Sequence, residues 1–261
     1  MTAPALVLVS HGSRDPRVAQ VTHGLRQALA LRRPEIPVAA AFLDHCPPNV
    51  THAVDHLVQQ GQREIVLIPL DLTHAVEADP AIHQVAAECR ALHADAGFTV
   101  ARPVGPEVNL LTILDQRLRG ALAVARVLEL DGLVLSSPSA GDVRGAALLA
   151  RRARQWSTHH RLPCLTAVAD GSGPSVAQAV QGLRAQGRRH IAVGSFFLAP
   201  DELYAAQTDL AHRCGAVAVS EPIGANRELI DLVLARYAFA AMDLLDFGQE
   251  ESFGFDSALG A

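Results

Sequence analysis

Short apolar runs recur along the chain, and within each run apolar and polar side chains do not alternate. The runs lie at residues 6–9, 65–68, 133–135 and 191–193, and turn-forming residues bound each of them. Strands that are covered on both faces have this pattern, which is typical of parallel sheets. The runs therefore predict the central strands of parallel sheets.

Helical patterns separate these runs. In residues 50–61 and 176–187, apolar side chains recur every three or four positions, and a glycine, Gly61 or Gly187, closes each segment. This spacing with a terminal glycine is typical of an amphipathic helix. Because strand and helix patterns alternate, the sequence predicts an α/β fold with open, mostly parallel sheets flanked by helices.

The two halves of the chain repeat one another. Residues 6–10 match residues 133–137, and at the same offset Asp15 falls on Asp142. With the offset reduced by one residue, the helical segment of the first half falls on that of the second half. An internal duplication of this kind predicts two similar domains in tandem, with a ligand cleft between them. The predicted domains are residues 1–127 and residues 128–242.

Composition excludes several classes of protein. The chain has 261 residues, of which 49% are hydrophobic and 19% charged. It has no apolar run of about 18 residues and no signal-peptide pattern, so we expect neither membrane insertion nor export, and we expect a cytoplasmic location. Its 22 basic residues, all arginine, are scattered, which argues against nucleic-acid binding. Its four cysteines lie too far apart for a zinc site or a disulfide framework.

The net charge of −5 is concentrated at the end of the chain. Residues 243–261 contain five acidic residues and no arginine, whereas the chain up to Met242 contains 22 arginines and 22 acidic residues. We therefore predict that residues 243–261 form an acidic, poorly ordered tail.

Two histidines interrupt the repeat. His11 directly follows the first apolar run and is replaced by Pro138 in the second copy, while His74 follows the run at 65–68 and is replaced by Pro200. Residues needed only for folding are expected in both copies, so the loss of both histidines indicates a function. Both follow the carboxyl ends of strands, where open α/β sheets carry their chemistry. Because imidazole binds transition metals, the pair predicts a metal site with positions left for water or substrate.

Residues beside the two histidines are further candidates. Glu77 and Asp79 could ligate the metal or accept protons, or they could begin a solvated helix. The segment after the first strand predicts an anion site, because its glycine allows close approach and its arginines can grip carboxylate or phosphate. It matches neither glycine-rich nucleotide-binding pattern. The candidate anion-binding residues are Ser10, Gly12, Ser13, Arg14 and Arg17.

These motifs resemble the sirohydrochlorin chelatase family in its long, two-domain form, which is related in fold to class II chelatases and ferrochelatase. The likeness rests on the first strand followed by His11-Gly-Ser-Arg14, and on residues 41–44 followed by Pro47-Pro48. It also rests on the strand that leads to His74. It covers the first half of the chain well and the second copy weakly.

The resemblance implies a lyase that inserts Fe²⁺ or Co²⁺ into sirohydrochlorin, in siroheme or cobalamin biosynthesis. His11 and His74 would then be the metal-binding pair, and Arg14 and Arg17 would meet the carboxylates of the tetrapyrrole. No cofactor is implied, because the divalent metal is a substrate. Since one chain holds both halves, a monomer is the expected state and a homodimer the alternative.

The chain departs from the family pattern after its second histidine. The family usually has an aspartate four residues later, where this chain has Ala78 followed by Asp79. Either Asp79 or Glu77 is therefore the candidate acidic partner, and Asp71 is a further carboxylate that could approach the metal. Two other hypotheses stay open: a metal or tetrapyrrole carrier without turnover, and a metal-dependent hydrolase that uses His11.

Overall fold

Strands and helices alternate along the whole chain in the computed structural model, which describes residues 3–254, with side chains up to residue 244. The first half contains β1 (Ala5–Ser10), α1 (Pro16–Arg32), β2 (Val38–Phe42), α2 (Val50–Gln59), β3 (Glu64–Pro69), α3 (Pro80–Leu92), β4 (Gly97–Val100) and α4 (Leu110–Val124). The second half contains β5 (Gly132–Ser137), α5 (Val143–His160), β6 (Cys164–Val168), α6 (Val176–Ala185), β7 (Ile191–Ser195), α7 (Glu202–Arg213), β8 (Ala218–Val219) and α8 (Arg227–Gly254).

Each half builds a four-stranded parallel sheet. The strand order is β2-β1-β3-β4 in the first sheet and β6-β5-β7-β8 in the second, so the two sheets have the same topology. The four apolar runs form β1, β3, β5 and β7, the two central strands of each sheet, which are covered by helices on both faces. The predicted fold class, two similar α/β units in tandem, is confirmed.

Side-chain caps fix where the helices after the strands begin. In each case an oxygen of the capping side chain accepts a hydrogen bond from a backbone N–H in the first helical turn, which would otherwise be unpaired. Because corresponding helices of both halves are capped, the loops at the carboxyl edges of the sheets are anchored at both ends. The capping residues are Asp15, Asn49 and Asp79 in the first half and Asp142, Ser175 and Asp201 in the second.

The last helix of each half packs on the sheet of the other half. Helix α4 contacts β7 and β8, and helix α8 contacts β3 and β4. As a result, one core cluster contains side chains of both sheets, such as Leu8 and Leu135. The boundary predicted after residue 127 separates the two sheets, but the packing crosses it, since each sheet needs a helix from the other half to cover its apolar face.

Helix α8 extends past the end predicted for the second domain. It continues from Arg227 to Gly254, so the predicted start of the acidic tail at Asp243 lies inside a helix. Leu244 still packs against the shared core, beside Gly97. The rest of the predicted tail, residues 255–261, lies outside the described residues. Among the described helices, none combines the length and apolar character needed to cross a bilayer.

Candidate functional site

A cavity of about 380 Å³ lies at the carboxyl ends of the strands, between the two halves. Loops after β1, β2 and β3 line it from the first half, and loops after β5, β6 and β7 line it from the second half. This is the edge at which open α/β sheets bind ligands. The polar lining residues are Ser10, His11, Asp71, Thr73, His74, Asp79, Ser139, Asp170 and Asp201. Both predicted metal ligands are therefore brought to one cavity.

His11 is the first residue after β1, and its imidazole lies between two carboxylates. Its Nε2 is 3.3 Å from Oδ2 of Asp79, and its Nδ1 is 3.5 Å from Oδ2 of Asp44. When Nδ1 carries the proton toward Asp44, the Nε2 atom and the Asp79 oxygen both offer lone pairs. Such a pair can hold a proton or a divalent cation between its two atoms. The side chain of His11 is 56% exposed, so a ligand can reach it.

Gly12 allows the chain to approach itself at this point. A Cβ on Gly12 would lie 2.0 Å from the carbonyl oxygen of Asp44, a distance that no side chain tolerates. The Gly12 N–H donates to Oδ1 of Asp44 at 2.6 Å, which fixes the carboxylate beside His11. The loop after β2 thus fills the space beside Gly12, where the sequence predicted the approach of a ligand.

His74 lies in a loop that is longer than its counterpart in the second half. Residues 70–79 connect β3 to α3, whereas residues 196–201 connect β7 to α7, so the first loop has four more residues. Asp79 and Asp201 both cap the following helix and therefore correspond to each other. His74 falls among the extra residues, so its alignment with Pro200 in the sequence is wrong, because an ungapped comparison cannot place an insertion.

Asp71 orients the imidazole of His74. Its Oδ2 accepts a hydrogen bond from Nδ1 of His74 at 2.6 Å, and its Oδ1 accepts from the backbone N–H and the hydroxyl of Thr73 at 2.6 and 2.8 Å. Burial raises the pKa of Asp71, but the hydrogen bonds from His74 and Thr73 outweigh it and bring the pKa to about 2. With Nδ1 engaged, Nε2 of His74 is the nitrogen left to bind a metal. Asp71 is therefore a partner of the histidine rather than a free carboxylate.

The same contact affects the charge of His74. The hydrogen bond to Asp71 raises the pKa of the imidazole, and partial burial opposes this effect only in part. The negative charges of Asp142 and Asp79 act in the same direction as Asp71. The site thus favours a cation at this position, either the imidazolium or a bound metal ion.

Of the predicted anion-binding residues, Ser10 and Gly12 line the cavity and the other three do not. Ser13 is buried and donates to Oε2 of Glu202 in the second half at 2.6 Å. Arg14 is exposed, and exposed Arg17 is paired with Asp15, its Nη2 lying 2.6 Å from Oδ2. The described residues therefore place no arginine in the lining of the cavity.

Of the two candidate acidic partners, the structure brings Asp79 into the cavity and leaves Glu77 exposed outside it. The sequence interpretation missed Asp44 and its counterpart Asp170. Both follow the second strand of their half at the same place in the repeat, and recurrence was taken as a sign of a purely structural role. Burial raises the pKa of the carboxyl of Asp201, which also lines the cavity. Carboxylates from both halves thus line the cavity together with the two imidazoles.

A second cluster of suitable metal ligands lies elsewhere, where α4 meets α5. Asp115, His159 and His160 each place one ligand atom within 4.8 Å of the others. However, the Asp115 carboxylate already accepts from Nε2 of His160 at 2.5 Å and from Arg119 at 2.5 Å. This network connects α4, which packs on the sheet of the second half, to α5. The hydrogen bonds account for the position of these side chains without a metal.

A protein-family model matches the first half of the chain. The CbiX family model matches residues 5–121, which extend from β1 through most of α4. The first half of the chain is thus similar to the CbiX family.

The curated relatives of this chain carry one name. The sirohydrochlorin cobaltochelatase of Priestia megaterium is 29% identical over 121 residues, which is 44% of this chain and 37% of that protein. The sirohydrochlorin cobaltochelatase of Methanopyrus kandleri is 26% identical over 138 residues, 45% of this chain and 96% of that protein. The chain thus matches little more than a third of the length of the Priestia protein. These matches confirm the resemblance to sirohydrochlorin chelatases.

Solved structures match over both halves of the chain. SirB from Bacillus subtilis with Fe³⁺ aligns with a TM-score of 0.74 and 17% identity, over 92% of this chain and 96% of that one. A CbiX described as the terminal enzyme for siroheme biosynthesis in denitrifying bacteria aligns with a TM-score of 0.61 and 17% identity, over 90% of this chain and 99% of that one. These matches establish the two-unit fold across both halves, whereas the family model covers residues 5–121.

Proposed function

We propose that this chain is a lyase that inserts Fe²⁺ or Co²⁺ into sirohydrochlorin, in siroheme or cobalamin biosynthesis. The observation that carries the proposal is that His11 and His74 reach one cavity from two neighbouring strand ends. Each imidazole has a carboxylate neighbour, Asp79 for His11 and Asp71 for His74. The names of the relatives, and the metal ions in the SirB structures, support this choice of substrates.

The first-half wall of the cavity would hold the metal. Two imidazole nitrogens fill only part of the coordination sphere of Fe²⁺ or Co²⁺, so positions remain for water and for pyrrole nitrogens. A metal bound this way can be transferred, whereas a site with four protein ligands would retain it. The hydrogen bond from Nδ1 of His74 to Asp71 fixes the ring and makes its Nε2 a stronger ligand.

Asp79 is the proposed proton acceptor. Metal insertion releases two protons from the pyrrole nitrogens, so a base must stand at the cavity. Asp79 lines the cavity next to His11, whereas Glu77 is exposed outside it. The support for Asp79 is therefore geometric, and Glu77 is not needed for this step.

The second-half wall would cover the flat macrocycle. Phe197, Leu198 and Leu203 line the cavity there and offer apolar contact to a tetrapyrrole ring. The carboxylates of the substrate would point outward, away from the acidic lining, where exposed Arg14 and Arg17 can meet them. We propose no cofactor, since the metal is a substrate, and a monomer, since one chain supplies both walls.

A metallation assay tests the proposal. Sirohydrochlorin is mixed anaerobically with Co²⁺ or Fe²⁺, and the absorbance change of metal insertion is followed with and without protein. We expect the protein to accelerate insertion and the His74→Ala variant to lose this acceleration. If H74A inserts metal as fast as the unaltered protein, the assigned site is wrong. If the protein binds metal and tetrapyrrole without acceleration, it is a carrier.

A further inference from the structure

The second half encloses the loop that carries His74. Residues 139–145, which we call the β5–α5 socket, surround the backbone of Thr73. A Cβ on Gly141 or Gly145 would come within 2.1 or 1.9 Å of the Thr73 carbonyl oxygen, and Gly141 has a φ of +73°. The Thr73 hydroxyl also lies 3.0 Å from the hydroxyl of Ser139. Both glycines are thus required for this contact between the halves.

The carboxylate of Asp142 lies at the centre of the socket. Its Oδ2 is 3.4, 3.1 and 3.4 Å from the backbone nitrogens of Ala75, Val76 and Glu77, respectively. Its Oδ1 accepts from the N–H of Gly145 and so caps helix α5. Three successive N–H groups that point at one oxygen form an anion-binding nest. Here the anion is a side chain of the other half of the chain.

Asp15 occupies the same position in the first copy. It caps a helix as Asp142 does, but among the described residues it binds no loop of the other half. It caps helix α1 by accepting from the N–H of Arg17, and its carboxylate pairs with the Arg17 guanidinium. The hydrogen bonds of its side chain within the described structure stay inside the first half. The extra task of Asp142 therefore does not follow from the repeat.

We propose that Asp142 is a positioning residue for the metal site, which fixes residues 75–77 from the second half so that His74 faces the cavity. The inference rests on the proposed role of His74 as a metal ligand. Its consequence is that the copy without cavity histidines controls the metal affinity of the copy that has them. The charge needed for this role is maintained, because the hydrogen bonds to Gly145 and to the loop lower the pKa of Asp142 although burial raises it.

The variant Asp142→Asn separates positioning from capping. Asparagine caps helices as well as aspartate does, so the oxygen that accepts from Gly145 is kept. Its NH₂ group, however, would face the three N–H donors of residues 75–77. The matched control is Asp15→Asn, which makes the same chemical change at the equivalent cap. If D142N does not fold, Asp142→Ser is used in its place, because serine keeps a capping oxygen but lacks the second acceptor.

Co²⁺ binding measured by calorimetric titration gives the main result. We expect D142N to bind Co²⁺ about 10- to 100-fold more weakly, as when an outer partner of a metal ligand is lost. We expect D15N to bind like the unaltered protein. Amide hydrogen exchange should be faster at residues 75–77 in D142N and unchanged there in D15N.

The outcomes distinguish this inference from the proposed function. If H74A loses Co²⁺ binding while D142N binds like the unaltered protein, the inference is overturned and the proposed function stands. If H74A binds Co²⁺ as well as the unaltered protein, His74 is no ligand, and both fall. An equal loss of affinity in D15N and D142N would indicate a general effect of the caps and would also overturn the inference.

Discussion

The two halves of the molecule have the same sheet topology but contribute different groups to the shared cavity. The first half supplies His11 and the longer loop with His74, where the second half has Pro138 and a loop four residues shorter. The second half supplies apolar side chains and the carboxylates of Asp170 and Asp201, and its Asp142 supports the loop of His74 from outside the cavity lining. The comparison shows that, after a duplication, one copy can keep the ligands while the other becomes the wall and the support.

The halves also differ inside their cores. Gly194 in β7 lies under Trp156 of α5, and a Cβ there would be 2.5 Å from the indole ring. The positions that correspond in the repeat carry Ile68 in β3 and Leu29 in α1, both fully buried. The second half thus pairs a large side chain, Trp156, with a glycine, whereas the first half pairs two side chains of intermediate size. Similar total volumes satisfy the same sheet and helix arrangement.

The largest expected effect tests whether metal binding belongs to the first half alone. His11→Ala should abolish both Co²⁺ binding and metal insertion, because an imidazole ligand is lost. His212→Ala, which removes an exposed histidine of α7 in the second half, should change neither. Calorimetric titration and the absorbance assay measure the two effects. Equal losses in both variants would contradict the assignment of the site to the first half.

The second prediction concerns the core. Gly194→Ile should reduce the free energy of unfolding by about 3 kcal/mol, because the new side chain collides with Trp156. The double variant Trp156→Leu with Gly194→Ile copies the first half and should recover part of this loss. Urea unfolding of the singles and the double measures the coupling. If the losses of stability in the two single variants simply add in the double variant, the side-chain pair of the first half cannot replace that of the second half.

The third prediction is a pH dependence that comes from the Asp71–His74 pair of the first half. The pKa of Asp71, about 2 in the folded chain, lies below the ordinary value of 3.8, so its stabilising effect is present above pH 3.8 and is lost as the pH falls. The pKa of His74 is raised, so its effect is present below 6.5 and is lost as the pH rises through the folded value. The pair should therefore stabilise most between these two pH values, by roughly 2 kcal/mol.

The free energy of unfolding of the Asp71→Asn variant, measured across this pH range, tests the direction of this dependence. The variant should lose most stability near pH 5, and its stability should vary less with pH than that of the unaltered protein. Asp209→Asn, at an exposed position of α7, is the control and should leave the profile unchanged. A loss that is constant from pH 3 to pH 8 would show that the charge pair is not its cause.

The smallest effect is expected where the halves are equivalent. Asn49 and Ser175 cap α2 and α6 at corresponding positions, and Ser175 also forms a capping box with Gln178. Alanine at either cap should cost about 1 kcal/mol of stability and leave Co²⁺ binding unchanged. Thermal unfolding and titration check this. A change in Co²⁺ affinity in only one of the two variants would show that the corresponding helix caps of the two halves are not equivalent in function.

Much of the scaffold could be predicted from the sequence because it depends on local patterns. The uninterrupted apolar runs predicted the central strands, and the recurrence of Asp15 as Asp142 revealed the duplication. His11 was found because it fails to recur next to a strand end. His74 was found by the same test although its alignment was wrong, since the extra loop residues cannot be located without the helix caps.

The sequence by itself determined the two α/β units, their order and the two histidines at strand ends, because periodicity and local caps are written in neighbouring residues. Only the tertiary structure decided the exchange of α4 and α8, the pairing of His74 with Asp71 and the reach of Asp142 into the other half. These contacts depend on how two sheets face each other across a shared core. That arrangement is set by packing between distant segments, which no local pattern contains.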